Sequence, residues 1–293
     1  MKEIVVLSGK GGTGKTSIVG SFAFLAESKV LVDCDVDAAD LHLLLQPSIL
    51  QRNEFWSGKT AMIDKKLCTR CGLCQQICRF NAIQGCIVDA AACEGCGFCF
   101  HICPAKAISM QPNLSGEWFI SETKYGQLVH ARLGIAQENS GKLVAAIRKE
   151  AKTIAEAGGV DFIISDGPPG IGCPVISSLS GANIALLVTE PTMSGMHDLE
   201  RVLGVCQHFE VPTLVCINKC DINQDNSRKI RQYCLDQGVE VAAEIPFDNV
   251  FTEAMINNST VVEYCHNGVS RQIERLWGTI LTKVKGDKSA PNQ

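Results

Sequence analysis

Eight cysteines are set at one spacing twice: Cys68, Cys71, Cys74 and Cys78, then Cys93, Cys96, Cys99 and Cys103, each run reading C-x2-C-x2-C-x3-C. Adding 25 carries the first set onto the second, and carries Ala82-Ile83 onto Ala107-Ile108. The block from about Met62 to Ser109 is therefore an internal repeat. Thiolates at this spacing wrap three corners of an iron-sulfur cube, and the fourth ligand comes from the other copy. The expected ligand sets of two [4Fe-4S] clusters are Cys68, Cys71, Cys74 with Cys103, and Cys93, Cys96, Cys99 with Cys78. Structural zinc is the competing chemistry, but it takes paired C-x2-C knuckles rather than triplets.

A second chemistry stands near the start of the chain. Residues 9–16, GKGGTGKT, match G-x-x-x-x-G-K-[ST] between the apolar run EIVVL and a helix-patterned run. Glycines let backbone N–H groups close on phosphates, and the helix N-terminus favours their charge. Lys15 would reach the β and γ oxygens, and Thr16 would ligate Mg²⁺. The expected phosphate-side residues are Gly9, Lys10, Gly11, Gly12, Thr13, Gly14, Lys15, Thr16 and Ser17.

With Lys10 ahead of the glycine pair, KGGTGKT resembles the deviant Walker motif of the MinD/ParA/Mrp family, which includes the nitrogenase iron protein. The resemblance implies that Lys10 crosses a dimer interface to the partner's nucleotide, as an arginine finger does elsewhere. Residues 32–45, VDCDVDAADLHLLL, resemble the family's switch I, which gives Asp35 the attacking water and Asp33 a supporting role at Mg²⁺. Residues 164–172, ISDGPPGIG, resemble its Walker B and switch II, which puts Asp166 on Mg²⁺ through water. Lys10, Lys15 and Asp35 are then the catalytic set, while Asp37 and Asp40 read as solvated or capping carboxylates. INKCD (217–221) resembles N-K-x-D, whose Asp221 would pair with guanine, yet the family reads adenine through an asparagine at this strand end. With EIPFDNVFTEAM (244–255) matching the family's base-side loop, ATP is expected, with Asn218, Lys219, Asp221 and Pro246 on the base side. GTP stays open.

The cysteine block, closed by Cys103-Pro104, is the bacterial ferredoxin run. The first copy departs from it with Cys78-Arg79, which should loosen that turn without removing a ligand. Among the cysteines outside the repeat, Cys34, Cys206, Cys216, Cys220 and Cys234 read as buried small hydrophobes. Cys173 lies where the nitrogenase iron protein carries a ligand of its dimer-bridging cluster. Residues 125–144 hold no second cysteine, and Cys216 and Cys220 are spaced C-x3-C rather than the Mrp C-x2-C. A third, bridging cluster therefore lacks half its ligands.

The elements that must hold these residues follow from periodicity. Apolar runs at 3–7, 30–35, 161–170, 184–191, 213–221 and 239–246 alternate with helical stretches such as 141–158 and 197–209, the pattern of a doubly wound, mostly parallel α/β sheet. The expected P-loop ATPase domain spans 1–60 and 110–285, with a small α+β ferredoxin-like lobe inserted at 61–109 and a flexible tail at 286–293. The face Ile273, Leu276, Trp277, Ile280, Leu281 and Val284 of a last helix should pack on the core.

The 293 residues carry a formal net charge of -4, and no Lys/Arg run exceeds two, so no basic footprint marks a nucleic-acid partner. The uncharged stretch 167–189 is broken by Gly and Pro, so stable membrane insertion is not expected. Sixteen cysteines behind an N-terminus without an apolar leader point to a reducing cytoplasm and metal-bound thiolates. The leading expectation is an ATPase, slow and partner-coupled, whose ATP-dependent homodimerisation drives electron transfer through two clusters to an unknown redox partner. An iron-sulfur carrier of the Mrp type, delivering to an apo-protein, and a redox-sensing MinD/ParA-like switch are the alternatives.

Overall fold

β1 (Lys2–Ser8) and α1 (Lys15–Leu25) enclose the glycine loop, and β2 (Lys29–Asp33) ends on the first switch carboxylate. The short α2 (Leu41–Leu45) leads into β3 (Ser48–Ile63). The cysteine block forms α3 (Leu73–Ile77), β4 (Ile83–Gln84), β5 (Ile87–Val88) and α4 (Phe98–Ile102). Then follow β6 (Ile108–Thr123), β7 (Gly126–Leu133), α5 (Ser140–Gly158), β8 (Phe162–Pro169), α6 (Cys173–Leu179), β9 (Ile184–Thr189) and α7 (Met193–His208). The chain finishes with β10 (Thr213–Asn218), α8 (Gln224–Asp236), β11 (Glu240–Ile245), α9 (Val250–Ile256), α10 (Val261–Tyr264) and α11 (Gly268–Gly286). This computed structural model describes residues 1–134, 140–266 and 268–286. Beyond residue 286, the expected flexible tail lies outside the described residues.

Two compact units result: Met1–Arg52, Phe119–Ala131 and Ser140–Gln293 make the first, Asn53–Trp118 with Arg132–Asn139 the second. The strand order is β11-β10-β9-β1-β8-β2-β7-β6-β3. β1 pairs in parallel with β8 and β9, β2 with β8 and β7, and β10 with β9 and β11. β6 and β7 are joined by Lys124-Tyr125 alone, a connection only antiparallel strands can make. The sheet is mixed at that side and parallel elsewhere.

Alternation along β1 winds helices onto both faces of the first unit. Ile4 and Val6 pack with α1, α2 and α9 to α11, whereas Val5 and Leu7 pack with α6, α7 and α8. All four are fully buried, each worth about 1.5–3 kcal/mol in removed apolar surface. On α11, Ile273, Leu276, Trp277, Ile280 and Val284 are buried against the first of these cores, with Leu281 half-buried beside them.

β3, β6 and β7 have no counterpart in the sequence expectation. Along β3 only Ala61 is buried, so no apolar alternation announces it. β6 carries Pro112 and Gly116, residues that argue against a strand when read locally. The second unit is consequently wider than the 61–109 block defined by its cysteines.

Inside that unit the repeat is also a repeat of backbone. The offset of 25 carries α3 onto α4, and carries the positive-φ positions Arg70, Gly72 and Asn81 onto Gly95, Gly97 and Lys106. Cys78 and Cys103 end the two helices at φ -73°, ψ 107° and φ -67°, ψ 110°. Arg79 thus leaves the turn in the conformation that Pro104 gives its twin.

Candidate nucleotide site and cysteine cavities

The glycine loop lies where the C-terminal ends of parallel strands open, the usual ligand position of such sheets. Gly12 and Gly14 take φ of 78° and 89°. A side chain at Gly14 would also meet Asn218 Nδ2 at 2.3 Å. Gly11 to Ser17, Asp35, Leu43, Leu44 and Met255 are among the residues lining a cavity of about 440 Å³. Gly9 stands outside it, packed so closely on Asp198 that an added Cβ would lie 2.2 Å from that residue's Cβ.

Lys15, the first residue of α1, is buried and ion-paired with Asp166 within β8. Burial alone would depress its pKa, but the Asp166 carboxylate more than offsets this and holds the ammonium charged. Asp33 is fully buried opposite Asp166. Its oxygens accept from the N–H groups of Asp35 (3.1 Å) and Leu41 (3.2 Å). Burial, then Asp166, pushes its carboxyl well above the usual range. Asp35 is raised mainly by burial, with Lys15 opposing. Two buried carboxylates thus share one ammonium, and Thr13 Oγ1, on the same cavity lining as Lys15, is buried without a hydrogen-bond partner. The surplus carboxylate, the lysine and the orphaned hydroxyl fit a phosphate with a divalent cation.

Lys10 does not line the cavity. Its ammonium is 2.6 Å from Glu190 and donates to Thr192 Oγ1 (3.3 Å) and Ser194 Oγ (3.1 Å). Glu190 also takes Lys219, at 3.1 Å, which donates to Gly12 O at 3.0 Å. Glu190 follows β9, and an acidic residue closing a parallel strand beside a phosphate loop was the signal that could have found it. Asn218 Nδ2 donates to Thr13 O at 2.7 Å and its oxygen accepts from Lys219 N. Asp221 accepts from Phe247 N at 2.7 Å, tying the end of β10 to the loop after β11. Asn218, Lys219, Asp221 and Pro246 do not line the cavity; Met255, the last residue of the 244–255 stretch, forms its apolar wall with Leu43 and Leu44 of the 32–45 stretch, none of them singled out in the sequence.

In the second unit the cysteines ring two cavities. Cys78, Cys93, Cys96 and Cys99 line one; Cys68, Cys71, Cys74 and Cys103 line the other, with Cys86, which the repeat offset does not reach. Among the described residues no three His, Cys, Asp or Glu side chains converge as a single metal ion requires. Backbone N–H groups already point at two of the sulfurs: Arg70 N to Cys68 Sγ at 3.4 Å, Ala107 N to Cys103 Sγ at 3.3 Å. Burial raises Cys74 and Cys99 above the ordinary thiol value. Cys34, Cys206, Cys216 and Cys234 are buried in the first unit. Burial drives the thiols of Cys34 and Cys206 up to about 12 and about 11 respectively, which leaves both inert. Cys173 is exposed at the first residue of α6.

A family model, the CobQ/CobB/MinD/ParA nucleotide binding domain, matches residues 4–262. The chain belongs to the CobQ/CobB/MinD/ParA family. As a MinD/ParA-type protein it binds ATP and is an ATPase. An uncharacterized protein of Methanocaldococcus jannaschii is 34% identical over 94% of this chain and 95% of its own. An iron-sulfur cluster carrier protein of Pyrococcus horikoshii is 25% identical over 50% of this chain and 53% of its own. The fold of this MinD/ParA-type chain is shared by the septum site-determining protein MinD of Pyrococcus horikoshii, solved with Mg-ADP, at a TM-score of 0.59 and 17% identity over 99% of both chains. Among the described residues no helix is long and apolar enough to cross a membrane.

Proposed function

We propose that this MinD/ParA-type ATPase is an ATP-dependent electron-transfer protein, carrying two [4Fe-4S] clusters in a ferredoxin-like second unit. The observation that supports it is the division of the thiols. Each cavity gathers three cysteines of one copy and the last cysteine of the other, the crossed sets that two cubes need. When bound, such clusters supply one-electron transfer. Cys68, Cys71, Cys74 and Cys103 would hold one, and Cys93, Cys96, Cys99 and Cys78 the other.

At the nucleotide, Gly11 to Gly14 offer backbone N–H groups to phosphate, Lys15 leaves Asp166 for the β and γ oxygens, and Thr16, Asp33 and Asp166 hold Mg²⁺. Asp35, on the cavity wall, orients the attacking water. The resemblance of KGGTGKT to the MinD/ParA motif implies a dimer bridged by nucleotide, in which Lys10 would exchange Glu190 for the partner's nucleotide. Met255 and Leu43, on the cavity's apolar wall, would face the base.

Redox titration of anaerobically purified protein by electron paramagnetic resonance, with and without Mg-ATP, tests both halves. Two reducible [4Fe-4S] signals and a nucleotide-dependent midpoint potential are expected. Potentials indifferent to Mg-ATP would remove the coupling. The similarity to an iron-sulfur cluster carrier favours a second reading, cluster delivery. ATP-accelerated transfer to an apo-ferredoxin would decide for it.

A further inference from the structure

Cys86 occupies a demanding place. β4 and β5 pair antiparallel with Gln84 opposite Ile87, so Gly85 and Cys86 alone make the turn, at φ 55° and 64°. Turns with both residues in the left-handed region take Asn-Gly or Gly-Gly, because a Cβ there crowds the following carbonyl. The turn by itself therefore disfavours a cysteine at this position, and the side chain's surroundings are what distinguish it. Cys86 lines the first cavity with Cys68, Cys71, Cys74 and Cys103, and its neighbour Cys68 is the chief cause that raises its thiol. Five thiols face this cavity and four face its twin. The repeat offset carries Cys86 onto Gln111, whose amide donates to Ser109, so only one copy has the extra sulfur.

We infer that Cys86 is a reserve ligand of the first cluster, exchanging with Cys68. This rests on the two-cluster reading above. The exchange is balanced: the Cys86 sulfur forms a bond to iron as the Cys68 sulfur releases it, and the proton of Cys86 passes to Cys68. No electron is gained or lost. The first cluster thereby has two ligand sets and the second has one.

Iron and acid-labile sulfide per chain, with paramagnetic resonance of the reduced full chain, test this in Cys68→Ser, Cys86→Ser, Cys71→Ser and the Cys68→Ser/Cys86→Ser double variant. Wild type and both single variants at 68 and 86 should hold about eight iron atoms, and Cys71→Ser and the double variant about four. Cys68→Ser should also show a changed resonance signature for one cluster. About four iron atoms in Cys68→Ser or Cys86→Ser, or about eight in the double variant, would overturn the role of Cys86 alone. Wild type well short of about eight would overturn the two-cluster reading itself. Independently of any variant, alkylation of the loaded wild type without oxygen should label Cys68 and Cys86 partially, together about one per chain, since one of five thiols is always free. Label on neither would sink the exchange.

Discussion

Asp33 and Asp166 are register partners on neighbouring parallel strands, both buried, and the ammonium of Lys15 is ion-paired to the second. One cation between two carboxylates leaves negative charge in excess inside the protein, where charge is expensive unless matched. The site is thus built to prefer a further cation, and its lysine is already matched by a carboxylate that a phosphate can replace.

Asp166→Asn should lower stability by about 3 kcal/mol, because it removes the carboxylate ion-paired with a buried ammonium. At roughly 2–4 °C per kcal/mol for a chain of this size, thermal unfolding should fall by about 6–12 °C. Adding ATP with a chelator present should restore much of the loss, since phosphate supplies the missing partner. An equal loss with and without ATP would place Lys15 away from the phosphates.

The carboxyl of Asp33 titrates well above its ordinary value because burial, and then Asp166, disfavour its charge. Its folded value lies above the unfolded value of about 3.9. The stability it contributes is therefore full below about pH 4 and lost as pH rises through the folded value, with a slope of at most about 1.4 kcal/mol per pH unit. Unfolding free energies from urea titrations between pH 4 and 8 should fall more steeply for wild type than for Asp33→Asn. Parallel curves would contradict this.

Glu190→Gln removes the charge that holds Lys10 and Lys219 together. Lys10 is 31% exposed in that pair, so its release is worth about 1 kcal/mol at most. Sedimentation equilibrium with ATP should show dimer affinity raised about 3- to 5-fold, while Lys10→Ala should bind nucleotide and remain monomeric. An unchanged dimer constant in Glu190→Gln would mean that the pair does not oppose dimerisation.

Asn218→Ala should weaken ATP, ADP and GTP alike by about tenfold, the effect of leaving Thr13 O without its donor, about 1–1.5 kcal/mol. Calorimetric titration of the three nucleotides distinguishes this from a base-reading role, in which the ratio of ATP to GTP affinity would change instead.

The phosphate loop and the repeated cysteine spacing stand out in the sequence because each lies within a few residues: Gly9 to Thr16 in one stretch, Cys68 to Cys78 in another. What escaped depends on partners far apart in sequence. Glu190 meets Lys10 across 180 positions, and Asn218 meets Thr13 across 205, so a local pattern can flag either residue but not name the partner it binds. β3 and β6 escaped for the opposite reason. Their residues are mostly polar or half-exposed and include Pro112 and Gly116, so their extended form is set by pairing rather than by their own alternation. Cys86 was invisible to the repeat because the second copy has glutamine at that offset.

β1 lies between β8 and β9. Its Ile4 therefore waits for Ile164 and Ile184. Synthesis runs from the N-terminus at about 5–20 residues per second, and contacts of such separation form late. Every one of the eight repeat cysteines has been made before either flanking strand exists. On the growing chain, the thiols of the proposed clusters would be open to iron and sulfide while the residues of the phosphate loop still lack the strands that shape them. The order of manufacture thus separates the two chemistries in time.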